Sequence, residues 1–567
     1  MRMVIVDMSS ERVEWSEVAP EYEQLGGRAL TSRMINEQVS PTCDPLGPDN
    51  VLIIAPGLLT GTTLPNTSRL SIGAKSPLTG GIKESNVGGT IGDAIARLQI
   101  KAIVVRGKPK PDKKYILHIA GGDQIELLTA SQYVGMKTYS LTGALKERFG
   151  RFSTILSIGP AGEMEMKCAS VQSTDTEGRP CRAAGRGGLG AVLGSKGLKA
   201  IVISASKAKP ISVCNSSLFK KVRMEFSRSI LAAPFSGRTL PAFGTAALVG
   251  LVNSLGAFPC FNARKGYYET WEKISGEKMA EMIKRRGGVL KHAGCSGCII
   301  RCSNVFVDER GDYITSGLEY ETIWALGGMC AIDSLDTIAK FDFMCDDIGL
   351  DTMNVGAGIG VAMDAGFVPF GDAEKALKLV QEVEVGTDLG RLIGDGPVSV
   401  GEHFGHHRVP VCKNQSIAGY DPRALQGMAV TYATSPMGAD HTAGNLIGES
   451  LSGVVKPLEK GGQIEVSRKK QITIAGIDSL GLCLFTAAAA TDDILVSLIS
   501  ARLGVRMAVA EMRQIWRSTL DGEREFNRRA GLGAESDRLP TFFFEEPLPP
   551  HNQTVLFNDA EIDSTFR

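Results

Sequence analysis

The sequence predicts an α+β multidomain fold, with a β-rich N-terminal domain followed by two mostly α-helical domains. Three observations predict it. The chain has 567 residues, more than one hydrophobic core organises. Residues 1–205 carry short, β-branched apolar runs bounded by Gly or Pro, at 51–55, 102–106, 154–159 and 200–204. Beyond residue 206 the period changes to that of helices, at 216–233, 318–331, 335–348, 373–385 and 492–520.

Within 1–205 the strands alternate with glycine loops and few long helical patterns occur, with 91–98 a candidate helix. Glycine is abundant, at 66 residues, so many backbone positions turn tightly or approach something closely. In the helical part Ser334 is placed to N-cap the 335–348 helix and Gly349 to close it. A histidine-rich stretch at 403–407 and Pro410 mark a loop, which divides the helical part into 206–410 and 411–567. No low-complexity tract or solenoid period interrupts this order.

Lys plus Arg equals Asp plus Glu, at 62 each. A neutral chain gives no reason to expect nucleic acid or an anionic membrane as partner. The N-terminus lacks the charged-then-apolar pattern of a secretory signal. The apolar stretch 480–490 is well short of the roughly 20 residues of a membrane span. A cytoplasmic location without membrane insertion is therefore expected. Twelve cysteines in such a chain are not read as disulfides. Nine are scattered, as small buried hydrophobes are; three crowd together.

Those three, Cys295, Cys298 and Cys302, form C-x2-C-x3-C in the segment GCSGCIIRC. Three thiolates this close can ligate one metal centre. A [4Fe-4S] cluster wants a fourth, for which Cys483 is the candidate. Zinc competes, with His292 near enough in sequence to complete a tetrahedral set; ordinary core cysteines are a third reading. Cys483 also ends one of two copies of Asp-x-x-Gly-Leu. The first runs from Asp346 through Gly349 and Leu350 to Asp351, the second from Asp478 through Gly481 and Leu482. They are two ordinary helix ends or two equivalent loops. Three glycine-rich segments complete the set: Pro65–Arg69 leading into SPLTGG, then ESNVGG, then RAAGRGGLG. Backbone N–H groups with Arg forks suit phosphate and polar-ring ligands, although tight β-turns use the same residues. None matches a Walker A loop or a dinucleotide turn.

Together these pieces resemble the aldehyde:ferredoxin oxidoreductase family over nearly the whole chain. The resemblance takes in Gly26-Gly27-Arg28, the Arg69 segment, SPLTGG, ESNVGG, AAGRGGLGAVLGSKGLKAI, GCSGCIIRC, EYET at 319–322, both Asp-x-x-Gly-Leu motifs and RLPTFFFEEPLP. It implies three domains: a β-rich base cradling one face of a cofactor, and two helical domains covering the other. The implied cofactor is tungsten (or molybdenum) bis-pyranopterin, with Mg2+ linking the two pterin phosphates, beside a [4Fe-4S] cluster. Asp346, Gly349, Leu350 and Asp351 would serve one pterin, and Asp478, Gly481 and Leu482 the other. Cys483 would be the fourth cluster ligand. Arg69 would lie between cluster and pterin. Asn86, Gly88, Gly89, Arg182, Ala183 and Arg186 would face the pterins, with the closer of the two arginines left open.

The same resemblance implies that Glu321, 25 residues before Asp346, deprotonates water or the hydrated aldehyde, with Glu319 a rival in the same triplet. His441 would hydrogen-bond to the reacting oxygen. Read alone, Glu321 is an ordinary solvated helix residue and His441 a satisfied histidine. The implied reaction oxidises a small aldehyde and hands electrons to ferredoxin or an iron–sulfur partner subunit. Some family members dimerise through a metal held by Glu-x-x-His. The matching stretch around Lys340 lacks that pattern, so any oligomer would form without such a bridge. Two alternatives stand beside this reading: the catalytic subunit of a benzoyl-CoA reductase, of the same superfamily, and a zinc-stabilised scaffold without redox activity.

Overall fold

The computed structural model describes residues 1–121, 124–204 and 208–566. Strands dominate the first part and helices the remainder, as the change of period predicts. The boundary expected at 205/206 lies outside the described residues.

The first part is built twice. One six-stranded sheet runs in the order Arg12–Glu17, Arg2–Asp7, Ile100–Arg106, Leu52–Pro56, Leu70–Lys75, Ile82–Val87. The second runs Gln124–Thr129, Tyr115–Gly121, Leu198–Ile203, Thr154–Ser157, Val171–Ser173, Arg182–Ala184. Corresponding pairs have the same sense: in each sheet only the contact between the second and third strands is parallel.

Alternation along the strands explains how the sheets stack. Val4, Val6, Ile54 and Ile103 of the first pack against Leu117, Leu156 and Ile201 of the second. The opposite face of each sheet is covered by its own helix. Leu30, Met34 and Ile35 of Gly27–Gln38 lie on Ile53 and Val104, and Leu141 and Leu145 of Thr138–Phe149 lie on Ile116 and Ile155. Neither helix was expected where strands were read, because Gly26-Gly27 and Lys137 offer no side-chain cap. The expected helix at 91–98 forms as Ile91–Arg97.

In the helical part, local signals place the ends well. Ser334 accepts from the Thr337 N–H, and Gly349 closes Leu335–Ile348 in the left-handed region. Two expectations need correction. The 318–331 stretch yields only Tyr320–Leu326 and a 3-10 turn, since Gly327 breaks the ladder. The 492–520 stretch is two helices, Asp492–Leu503 and Val509–Arg529, parted by Gly504 at φ 75°. Among the described residues no helix is long and apolar enough to cross a membrane.

Candidate active site

The two Asp-x-x-Gly-Leu motifs are both helix ends and equivalent loops. Gly349 and Gly481 each cap a helix with positive φ. Each loop then settles on one half of the duplicated base. The second loop lies on the first sheet. The Leu58 and Leu59 N–H groups donate to the Ser479 and Leu480 carbonyls, and Arg69 N–H donates to Gly481 O at 3.2 Å. A Cβ on Gly57 would stand 2.1 Å from the Gly481 Cα, and one on Gly27 would stand 2.3 Å from the Asp478 carbonyl. The first loop lies on the second sheet in the same manner. A Cβ on Gly159 would stand 2.1 Å from the Ile348 carbonyl, Thr138 Oγ1 donates to Asp346 O, and Leu350 bridges to Ala169. Asp351 then N-caps Thr352–Asp364, and Leu482 is buried in the core under the second loop.

The four cysteines come together between these loops. Asn66, at φ 60°, ties them. Its carbonyl accepts from Cys483 N–H, its N–H donates to Gly297 O, and its side chain donates to Cys298 Sγ while accepting from Ile299 N–H. Arg69 reaches Cys483 Sγ at 3.8 Å. Burial would push its guanidinium down, but the sulfurs of Cys483, Cys295 and Cys302 outweigh that and hold it above its usual value. Gly88 is required here: a Cβ would stand 2.5 Å from Cys295 Sγ. Gly89, at φ 89°, accepts from Ser296 N–H. Burial pushes Cys298 up to about 11 and Cys302 further, with neighbouring cysteines adding to both. Among the described residues no three His, Cys, Asp or Glu side chains converge closely enough to hold one ion. His292, which the competing zinc reading would use, instead meets Glu177 at 2.8 Å. Cys295, Cys298, Cys302 and Cys483 are nonetheless mutual neighbours, four thiols of the kind that bind iron–sulfur clusters or zinc.

The glycine-rich segments meet where the edge strands Ile82–Val87 and Arg182–Ala184 lie against each other. Asn86 pairs with Ser71 across one sheet, and Ala183 with Gln172 across the other. The two arginines separate. Arg182 is wedged between Gly294 and Gly317 and pairs with Glu319 at 3.4 Å, on the cysteine side. Arg186 donates to the Ala439 and Ser416 carbonyls and faces Asp351 at 3.6 Å. Buried polar atoms of Ser71, Gln172, Ser173, Arg182 and Arg186 make no hydrogen bond within the protein. Native interiors leave few such atoms; these, on the edge strand Arg182–Ala184, on the neighbouring strands Leu70–Lys75 and Val171–Ser173 and at Arg186, fit a polar ligand laid across the base.

Glu321 and His441 meet at 3.4 Å. Glu321 is no solvated helix residue: its side chain is only 15% exposed, and its other oxygen accepts from Gly419 N–H at 2.9 Å. Burial lifts its carboxyl above the usual range, while His441, the Gly419 N–H and Arg186 pull it down. Glu321 Oε1 and His441 Nδ1 are left without hydrogen bonds. The imidazole is stacked 6.1 Å from Tyr420, and its neighbour Asp440 holds Lys83 at 3.2 Å. Glu319, by contrast, accepts from Thr245 and lies beside Cys302; it is not brought to His441. Two residues quoted in the sequence but given no role emerge here: Asn66, and Arg28, which joins Asp478 at 3.4 Å to Glu523 at 2.8 Å.

The model of the aldehyde ferredoxin oxidoreductase N-terminal domain matches residues 3–205, and that of its domains 2 and 3 matches residues 221–564. The tungsten-containing aldehyde ferredoxin oxidoreductase of Pyrococcus furiosus is 34% identical, covering 97% of this chain and 92% of its own length. That of Thermococcus kodakarensis is 33% identical with the same coverage. The fold also matches the BamBC active-site complex of benzoyl coenzyme A reductase, with a TM-score of 0.82 over 99% of this chain and 92% of that one, at 18% identity. On both family models and on these relatives, the chain belongs to the aldehyde ferredoxin oxidoreductase family.

Proposed function

We propose that the protein is a tungsten (or molybdenum) bis-pyranopterin oxidoreductase that oxidises aldehydes to carboxylic acids. Electrons would leave through a [4Fe-4S] cluster to ferredoxin or an iron–sulfur partner subunit. The observation that carries this reading is the seating of both Asp-x-x-Gly-Leu loops on matching glycines, with Cys483 at the end of one loop joining the other three cysteines. Asp346, Asp351 and Asp478, with Asn86, Arg182 and Arg186, would hold the two pterins and the Mg2+. Cys295, Cys298, Cys302 and Cys483 would hold the cluster. When bound, the metal centre supplies the two-electron chemistry.

Oxidation of an aldehyde with water yields the carboxylic acid, two protons and two electrons. The protein must therefore remove protons from a buried place. Glu321, raised by burial and without a hydrogen bond at Oε1, is the acceptor for a proton from water or the hydrated aldehyde. His441, oriented by Tyr420 and Glu321, presents a hydrogen bond to the reacting oxygen. Arg186 faces Asp351, and Lys83 holds Asp440 ionised beside His441.

Elemental analysis of anaerobically purified protein tests the cofactor. About one W or Mo with about four Fe per chain is expected; zinc without these metals overturns the reading. With the metals present, a panel of aldehydes with a viologen acceptor tests the reaction. Glu321→Gln should retain full metal content and lose about a hundredfold or more in kcat; full turnover would remove Glu321 from its role.

A further inference from the structure

Beside the four cysteines the molecule exposes an aromatic patch in a basic surround. The helix Ser216–Ala232 runs into a single π-helical turn, Phe235–Thr239, and then into Leu240–Phe243. Gly244, the next residue, presses on the cysteine loop: a Cβ there would stand 2.9 Å from the Cys302 carbonyl. Turns of this kind are rare and gather at functional sites. This one leaves Phe235 39% exposed, its ring meeting that of Phe485 edge-on at 6.2 Å. Phe485 follows Cys483 by two residues and packs in the same apolar cluster as Cys298 and Cys302. Leu231, one turn earlier, is 54% exposed.

The charge carried by this helix and turn is one-sided, while the helix packed on it, Asp492–Leu503, begins with Asp492, paired with Arg513, and the exposed Asp493. Residues 216–239 contain five Lys or Arg against the single Glu225. The cysteine loop adds Lys291 and Arg301, both exposed, with no acid between them. Among the described residues none of these cations has an ion-pair partner, in a chain whose acids and bases are equal in number overall. A local positive field with an apolar centre recruits and orients a partner of opposite sign.

We propose that this face is the docking site of a small acidic iron–sulfur electron carrier protein. The proposal rests on the aldehyde-oxidising reading above. One electron leaves this protein at each docking event and reduces one oxidised cluster of the carrier, so each aldehyde needs two events. Phe235, Phe485 and Leu231 form the apolar contact, and Lys220, Lys221, Arg228 and Arg238 the steering rim.

The test uses the metal-loaded protein and an oxidised acidic [4Fe-4S] ferredoxin as probe. Carbodiimide should cross-link ferredoxin carboxylates to Lys220 or Lys221, as located by mass spectrometry. The Kd should rise with ionic strength. Arg228→Glu with Arg238→Glu should raise the low-salt Kd about tenfold or more, with aldehyde-to-viologen turnover unchanged. Should the double variant fold poorly, Phe235→Ala measured in the same way takes its place. Cross-links confined to other surfaces, a Kd indifferent to salt, or variants that bind as the parent does would overturn the docking site. Absence of viologen turnover in the parent protein would instead strike at the aldehyde reading.

Discussion

Glu319 and Glu321 are two residues apart, yet they serve different surroundings. Glu319 precedes the first turn of Tyr320–Leu326 and turns to Arg182 and the cysteines; Glu321 turns to His441. The His441 side chain lowers the Glu321 carboxyl against the effect of burial. A base must be ionised to act, so the acidic limb of kcat/KM should lie above the ordinary carboxylate range. His441→Ala should move that limb to still higher pH, besides lowering kcat; a pH profile that stays in place would show that the two groups are not coupled. A second residue-scale effect concerns stability. Burial, aided by Asp478 and opposed by Arg28, raises Glu84 from 4.5 to about 8. The native state then keeps a proton that the unfolded chain has released, so stability falls as pH rises from about 4.5 to about 8. Glu84→Gln should flatten this part of the Tm-against-pH curve, as scanning calorimetry would show.

At the scale of elements, the duplicated base explains the duplicated motif. Each half offers one glycine just beyond a central strand and one helix N-terminus, and each receives one Asp-x-x-Gly-Leu loop. Gly57→Ala and Gly159→Ala should therefore have like effects. Each places a methyl within 2.1 Å of backbone, which cannot yield as a side-chain tip does. Loss of bound metal together with a lowered Tm is expected for both. Gly135→Ala, where a Cβ would meet no atom within 4 Å, should retain its metal; its cost comes from the positive φ alone, about 1 kcal/mol. Metal retained in full by either of the first two would show that the loop seats are not what holds the site.

Across the whole molecule, Arg28 joins the ends of the chain. From the first helix of the base it grips Glu523 in Val509–Arg529 and Asp478 in the second loop, and Ser32 adds a hydrogen bond to Glu523 at 2.6 Å. Glu523 is wholly buried. Arg28→Met would strand that charge, at a cost of about 3–5 kcal/mol, seen as a lower unfolding temperature. Arg28→Met with Glu523→Met, which removes both charges, should recover most of the loss.

The sequence by itself determined what local chemistry decides. Helix ends were legible at Ser334 and Gly349 because capping is a matter of a few consecutive residues. The C-x2-C-x3-C spacing was legible because three ligands lie within one loop. The family, and with it the list of motifs, was legible because those motifs are contiguous. Only the tertiary structure decided which parts meet. Neither the duplication of the base nor the roles of Gly57, Gly159, Asn66 and Arg28 show in any short window, since their partners lie hundreds of residues away. Sheet order and register depend on such distant pairings, as does the choice of Glu321 over Glu319 beside His441. The chain's own period separates strands from helices; the burial of one surface against another, which no segment carries alone, places the site.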